Sequence, residues 1–518
     1  MQLLKINRMI KNLFGSLCIL LVISSCESDL PGFYEFEPYA YSSTDLDAGD
    51  WKPVLIADAG AFQLPDPAPA GSDAYKSELA ELKSLSENPD AIQKDAIQYW
   101  NNDGLVRWNE TICRLISKYN LPPAPNDDDS YGVPNAAAPD QYPYFPFAHP
   151  TYACRALAYM SGAHYDALIS AWKLKSQFNR ARHQTADPSI RLHLPASELA
   201  SYPAEGAVIA AVSEVMLSAL FPLDKTEIQK LSAEHKNSLM WAGKHVKSDI
   251  TAGDSLGRII AAEFLKRAAT DGMKNAQSPK AISDSIRQAA ESRFGWYWKN
   301  LEDPERPVGI TPLFGKVKPW FIPNVETVRP GPPPAIGSPE FIQAANELKD
   351  IQKNLTKKQR AIANFYADGI GTYSPPGHWN RIAAEKIVEA RLSPVRAARI
   401  IAYMNYAIMD AGISCWDTKY FYHYPRPSQA IPGFKTILGI PNFPAYTSGH
   451  STFSSAAGKV LSHFFPSAAA EFDAVTIEAS LSRLYGGIHF RFDSEVGVTS
   501  GHLVAEYSVN RAKLDGAE

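Results

Sequence analysis

The chain has 518 residues, of which 45% are apolar and 20% are charged, and its formal net charge is −4. This length suffices for two or three domains or for one large helical body. The composition is that of a globular protein, and the slightly acidic balance argues against a nucleic-acid-binding surface.

Residues 1–25 have the organisation of an export signal, in which basic residues precede the apolar run 14–23. An Ile-Ser-Ser sequence then leads into Cys26 and resembles the lipobox of bacterial lipoproteins. We therefore expect a lipid on Cys26, which would anchor the protein to a bacterial membrane on the periplasmic side or at the cell surface. The alternative is an ordinary secretory signal in which this cysteine occurs by chance.

The rest of the chain divides by composition into a lead-in and two helical regions. Residues 26–75 are rich in Pro, Asp, Ser and Tyr, and we predict a tether with an irregular lead-in. Helical periodicity dominates 76–300, a proline-rich connection covers 301–340, and helical patterns resume over 341–518. Few segments alternate with a period of two, so we predict an all-α fold. No segment after the leader approaches the ~20 apolar residues of a membrane-spanning helix.

The two helical regions are related by a repeat without gaps at an offset of 244 residues, as in the pair His245 and His489. The match includes charged and aromatic residues and not only the apolar pattern. The identical pairs include Arg155 and Arg399, Trp172 and Trp416, Lys175 and Lys419, Arg182 and Arg426, and Asp249 and Asp493. We interpret this as an internal duplication and predict two related helical bundles packed into one body.

The two copies differ at positions that carry chemistry. The first copy lacks a hydroxyl, a histidine and an arginine, and it has a carboxylate where an anion would bind. The differing pairs are Ala204 and Ser448, Glu205 and Gly449, Gly206 and His450, and Leu239 and Arg483. We therefore predict that the first copy is structural and that only the second copy forms a site.

The second copy contains the groups needed to bind a tetrahedral oxyanion with about two negative charges. They are Lys419, Arg426, Ser448, the backbone N–H of Gly449, His450, Arg483 and His489. One histidine is expected to attack or ligate the central atom, and the other to transfer a proton at an oxygen. Asp493 lies one helical turn after His489 and can orient its imidazole. Each of these residues alone is compatible with an ordinary structural role, but the set is not.

The spacing of these residues resembles the three-part signature of the superfamily of type 2 phosphatidic acid phosphatases and vanadium-dependent haloperoxidases. The matching positions are Lys419, Arg426 and Pro427, then Ser448, Gly449 and His450, and finally Ser482, Arg483, His489 and Asp493. The resemblance implies that His489 bonds the central atom and that His450 transfers protons. Thr447 stands where the family usually has proline, which can alter the position of the loop.

Further similarity favours the haloperoxidase branch. Trp416 and Phe443 match positions that line the halide pocket in those enzymes, although core packing is an equal alternative for both. Asp368 lies in a segment similar to one whose aspartate pairs with an active-site arginine. The resemblance implies vanadate as a cofactor in competition with phosphate, peroxide and a halide as substrates, and Lys419 as the group that polarises the peroxide.

Two alternatives remain open at this point. A soluble acid phosphatase would use the same residues, with His489 attacking a phosphate ester and His450 protonating the leaving oxygen. A lipoprotein that only binds anions is the second alternative. The sequence specifies no oligomeric state.

Overall fold

The structure is a computed structural model, and it describes residues 36–120, 149–300, 308–369 and 371–518. The predicted export signal, Cys26 and the start of the predicted tether lie outside these residues. Helices account for 66% of the described residues and no strand occurs among them, which confirms the all-α prediction. None of the helices in these ranges combines the length and the apolar character needed to span a bilayer.

The helices of the first half include one long helix, α4. They are α1 (Asp73–Glu87), α2 (Ala91–Tyr99), α3 (Leu105–Tyr119), α4 (Pro150–Phe178), α5 (His183–Ala186), α6 (Glu205–Leu220), α7 (Lys225–Trp241), α8 (Lys247–Thr270) and α9 (Lys280–Phe294).

The helices of the second half include a second long helix, α14. They are α10 (Val325–Val328), α11 (Pro339–Lys353), α12 (Lys357–Phe365), α13 (Ser374–Glu389), α14 (Pro394–Tyr422), α15 (Pro427–Ala430), α16 (Gly449–Phe464), α17 (Ala469–Tyr485) and α18 (Arg491–Ala512).

Helices α4 to α8 recur as α14 to α18, with the same offset in the chain as the sequence repeat. Helices α4 and α14 both have 29 residues and begin with proline at the first helical turn, where its missing N–H costs nothing. Both end at a residue with positive φ, Asn179 in the first half and His423 in the second. The internal duplication stays an interpretation, and this recurrence of elements supports it.

Helices α4 and α14 pack against each other and join the two halves through one hydrophobic core. The contact is close because Gly162 on α4 faces the ring of Tyr406 on α14. A short polar set crosses the same interface, where the amide of Asn405 donates to Ser161 at 3.3 Å and to Asn380 at 2.9 Å.

Two buried aspartates on these helices hold the irregular segments in place. Asp166 accepts hydrogen bonds from the backbone N–H groups of residues 54–56, and Asp410 accepts them from residues 320–322. Residues 54–56 of the lead-in and residues 320–322 of the proline-rich connection are therefore bound to the helices. The domain boundaries stay predictions. The thiols of Cys113, Cys154 and Cys415 are buried and free.

Candidate active site

The start of α16 lies at the centre of the candidate site. Ser448 is the N-cap of this helix, and its hydroxyl oxygen accepts a hydrogen bond from the N–H of Ser451 at 3.4 Å. The hydroxyl proton of Ser448 remains available as a donor. Gly449 and His450 occupy the first turn, whose N–H groups have no partner inside the helix and favour an anion.

A cavity of about 310 Å³ opens at this helix start. Gly449, His450, Arg483 and His489 line it together with Asp368. Several other lining residues were not predicted from the sequence, namely Asn120, His149, Pro150 and Ile310, which belong to the first half and to the proline-rich connection. No sequence signal could have identified them, because they are distant from the motif along the chain.

Three cationic side chains are buried beside the cavity. Lys419 and Arg426 have no exposed surface, and Arg483 is 1% exposed. The ammonium group of Lys419 donates to the backbone carbonyls of Pro444, Ala445 and Thr447. The guanidinium of Arg426 donates to the Ile488 carbonyl at 2.9 Å, and that of Arg483 donates to the Tyr366 carbonyl.

Burial lowers the pKa of all three cations. The pKa falls to about 7 for Lys419, to about 9 for Arg426 and to about 10 for Arg483. For Lys419 the neighbouring charge of Arg426 adds to the effect of burial. Lowered values mean that the protonated groups lack sufficient negative charge nearby, and a bound anion would supply it.

His489 has a defined orientation. Its Nδ1 donates to Asp493 at 3.1 Å, while its Nε2 lies 3.0 Å from a guanidinium nitrogen of Arg426. Burial, followed by the charges of Arg426 and Lys419, holds the pKa of His489 well below its ordinary value. The imidazole is therefore neutral, and Nε2 carries the lone pair that could bond a central atom.

His450 has a different environment. Its Nε2 has no hydrogen-bond partner in the described residues and lies 3.4 Å from a carboxylate oxygen of Asp368. Burial and the charge of Arg483 lower the pKa of His450 to about 4. A neutral imidazole at a cavity wall is suited to proton transfer.

The structure corrects the predicted partner of Asp368. We expected an arginine, but among the described residues its ion-pair partners are the imidazoles of His450 and His378. The reason is local: Arg483 bonds the carbonyl of Tyr366, two residues earlier, and this leaves the carboxylate turned toward the histidines.

Two aromatic rings form part of the apolar wall. The rings of Trp416 and Phe443 lie 4.9 Å apart, and the ammonium nitrogen of Lys419 lies 5.1 Å from the centre of the Phe443 ring. The indole N–H of Trp416 donates to the Ile310 carbonyl at 3.1 Å. Both rings line the cavity, although Trp416 is also part of the core.

In the first copy, the carboxylate of Glu205 occupies the centre of the equivalent set of residues. Its oxygens lie 2.7 Å from Lys175 and 3.0 Å from Lys244. They also lie 3.5 Å from both Arg182 and His245. Although burial opposes ionisation, the two lysines hold the pKa of Glu205 well below its ordinary value.

The equivalent position in the second copy is Gly449, which has no side chain. Lys175 makes two carbonyl contacts, with Ala200 and Ser201, that correspond to those of Lys419, and its third contact is the Glu205 carboxylate. Gly449 therefore leaves the corresponding space to a ligand, and the donors around it fit a tetrahedral oxyanion such as vanadate or phosphate.

The first copy also contains the one group of three potential metal ligands in the described ranges, His183, His245 and Asp249. The Asp249 carboxylate is already paired with Arg180 at 2.8 Å and with His183 at 2.7 Å. A cation here would compete with the arginine, so the group is a buried ion-pair network.

Comparison with known proteins finds one family model and several solved structures that resemble this chain. Residues 400–512 match the family model of the PAP2 superfamily. The fold resembles that of the first bacterial vanadium-dependent iodoperoxidase to be solved as a crystal structure, with 21% identity, a TM-score of 0.58, and coverage of 78% of this chain and 95% of that chain. It also resembles apo-type and holo-type bacterial vanadium-dependent chloroperoxidases. For the apo-type structure the identity is 13% and the TM-score 0.52, with 71% of this chain and 95% of that chain covered. For the holo-type structure the identity is 14% and the TM-score 0.50, with 76% and 99% covered. No curated protein matches the chain.

Proposed function

Because this chain belongs to the PAP2 superfamily through residues 400–512, we propose that it is a vanadium-dependent haloperoxidase, which oxidises a halide with hydrogen peroxide. One observation carries the proposal. The first copy neutralises its buried cations with the carboxylate of Glu205, whereas the second copy has Gly449 and a cavity at the same place. The second set of cations is therefore arranged for a ligand that comes from outside.

The residues of the second copy would bind the oxygen atoms of vanadate and would form one bond to its vanadium atom. The oxygens would be bound by Lys419, Arg426, Arg483, the hydroxyl of Ser448 and the N–H of Gly449. His489 would provide the metal bond through Nε2, because Asp493 accepts the proton on Nδ1. When bound, vanadate supplies Lewis-acid activation of peroxide toward attack by a halide.

The other residues prepare the site for this reaction. His450 holds or accepts a proton at the cavity wall, since its imidazole is neutral above about pH 4. The charge of Lys419 lies beside the rings of Trp416 and Phe443, which limit the access of water. An apolar wall next to a positive charge suits a small, weakly hydrated anion such as a halide.

A phosphatase on the same residues is the second candidate. A neutral His489 surrounded by three cations is also the arrangement that nucleophilic attack on a phosphate ester requires. The similarity of fold over most of the chain and the aromatic wall support the haloperoxidase instead.

A paired assay distinguishes the two candidates. Oxidation of iodide, bromide and chloride by peroxide is measured with and without added vanadate, alongside hydrolysis of an aryl phosphate, in phosphate-free buffer. We expect halide oxidation that depends on vanadate. The substitution Arg483→Leu introduces the residue that the first copy has at the equivalent position, and it should abolish this oxidation. Aryl phosphate hydrolysis without oxidation of any halide would reject the haloperoxidase and retain the site.

The anchor at Cys26 belongs to this proposal as well. A lipid on this residue would hold the enzyme at the cell envelope. The native protein should then partition with membranes, and Cys26→Ala should move it to the soluble fraction. Equal partitioning of the two proteins would exclude the anchor.

A further inference from the structure

The loop between α12 and α13 connects three parts of the site. The carbonyl of Tyr366 accepts a hydrogen bond from Arg483. Two residues later, one oxygen of Asp368 lies 3.4 Å from Nε2 of His450. The other oxygen of Asp368 lies 3.7 Å from Nδ1 of His378, at the first turns of α13. A single buried carboxylate thus lies between two imidazoles.

His378 is held firmly by aromatic side chains. Its ring lies parallel to that of Tyr366, with centres 5.4 Å apart and an interplanar angle of 11°. Phe365 and Tyr373 meet it edge-on at 5.3 and 6.2 Å. The residue is 8% exposed. Three rings around one imidazole leave little freedom for the ring to turn.

The loop is also fixed from the first half of the chain. The amide of Asn120, at the end of α3, donates to the carbonyls of Gly369 and Thr372 at 2.5 and 3.0 Å. The backbone around Asp368 is therefore held on both sides, by Arg483 and by Asn120. The orientation of the carboxylate itself depends on the groups that approach its two oxygens.

We propose that His378 is a positioning residue, which holds Asp368 so that its carboxylate accepts the proton on Nε2 of His450. Asp368 then fixes the tautomer of His450 and leaves its Nδ1 lone pair free for proton exchange. The inference rests on the proposed role of His450 in proton transfer. At 3.4 Å, Nε2 of His450 makes no hydrogen bond to Asp368, and the separation of 3.7 Å from His378 is longer than a hydrogen bond. Catalytic contacts commonly shorten when the ligand binds.

Three variants test this role. His378→Phe keeps a ring among the aromatic side chains but removes both nitrogens. His378→Asn keeps an N–H donor near the position of Nδ1. His502→Phe is the matched control, since this half-buried histidine lies on α18 and is not among the residues that line the cavity.

The first readout is the tautomer of His450 in protein without vanadate, measured by NMR of ¹⁵N-labelled histidine and assigned with His450→Gln. We expect the Nε2–H form in the wild type, in His378→Asn and in His502→Phe. His378→Phe should give a mixture of both tautomers. The second readout is turnover, which should fall by about 10-fold or more in His378→Phe while vanadate affinity changes by less than about threefold.

An unchanged tautomer of His450 in His378→Phe would overturn the proposal. A mixture of both tautomers in His378→Asn, like the one expected in His378→Phe, would overturn it as well. If His378→Phe does not fold, Asp368→Asn replaces it and should also remove the preference for Nε2–H. Retention of that preference in Asp368→Asn would equally reject the role. A protein that oxidises no halide still gives the tautomer measurement, so failure of the proposed function is distinguishable from failure of this inference.

Discussion

At the scale of single residues, the site uses two neutral histidines with different neighbours. His489 is oriented by Asp493 and directs Nε2 at Arg426, whereas His450 lies beside Asp368 at the cavity wall. Both imidazoles are buried among cations, and this keeps them unprotonated at neutral pH. Their different partners therefore suit them to different roles.

The first prediction separates these roles. His489→Ala would remove the proposed bond to vanadium, so vanadate affinity should fall steeply. His450→Ala should leave affinity nearly unchanged while turnover falls by about 10²–10⁴. Calorimetric titration with vanadate, together with turnover measurements, tests both variants. Loss of binding in His450→Ala with retention in His489→Ala would mean that the two roles are reversed.

The second prediction concerns pH. The pKa of Lys419 in the protein without ligand is lowered to about 7 by burial, and a bound anion would raise it. Lys419 is therefore mostly protonated below about pH 7, and above that pH binding must also take up a proton. Affinity for sulfate, a tetrahedral dianion that does not titrate in this range, should decrease by up to about tenfold per pH unit above pH 7.

Calorimetry at pH 6 and pH 8, in buffers with different ionisation enthalpies, measures both the affinity and the proton uptake. Lys419→Met should bind more weakly and lose most of this pH dependence. An affinity for sulfate that rises with pH would contradict the assignment.

At the scale of elements, the two copies have the same helices but differ in what lies next to their buried cations. In the first copy α6 begins with Glu205, whose carboxylate neutralises the buried cations. In the second copy α16 begins with Gly449, and a cavity lies in front of it. The residue at this one position of the helix start thus determines whether the buried cations are neutralised by the protein or face a cavity.

The third prediction tests the structural role of the first copy. Glu205→Gln removes the charge that balances Lys175 and Lys244, so the free energy of unfolding should fall by about 3–5 kcal/mol. The pKa of Glu205 is lower in the folded than in the unfolded chain, where it is near 4.5. Its stabilising contribution is therefore complete above about pH 4.5 and is lost as the pH falls below that value.

Denaturant unfolding between pH 3 and pH 7 measures this effect, and the variant should lose much of the pH dependence. His245→Ala provides the functional control, because this residue belongs to the first copy and turnover should persist. Loss of most activity in a folded His245→Ala protein would mean that the active site lies in the first copy and that our assignment to the second copy is wrong.

The sequence predicted the helical class, the repeat and the set of cations and histidines, because each follows from local spacing or from identity at one offset. The partner of Asp368 was wrong, and His378 was missed. Both depend on how the loop before α13 is held by Arg483 and Asn120, which are distant in the chain. Contacts of this kind have no periodicity for a sequence pattern to reveal.

At the scale of the whole molecule, the candidate site requires both halves. Asn120, His149 and Pro150 from the first half line the cavity, while the cations come from the second half. The halves are joined by the packing of α4 on α14. The fit between these two helices should therefore control the stability of the entire fold.

The last prediction tests this fit at Gly162. A Cβ added there would lie 2.0 Å from the hydroxyl oxygen of Tyr406, whose ring is buried against Trp320 at 4.3 Å and cannot easily move. Gly162→Ala should lower the free energy of unfolding by about 1–3 kcal/mol. Gly331→Ala is the matched control, because no atom lies within 4 Å of its added Cβ.

Adding Tyr406→Phe to the Gly162→Ala variant should restore part of the lost free energy of unfolding. It removes the atom closest to the new methyl group, and this hydroxyl is buried without a hydrogen-bond partner in the described residues. Its loss therefore leaves no polar group of the protein unpaired. Thermal unfolding of the single and double variants measures the coupling between the two positions. If the two substitutions lower the free energy of unfolding additively, α4 and α14 do not meet at this point, and the described packing of the two halves would be wrong.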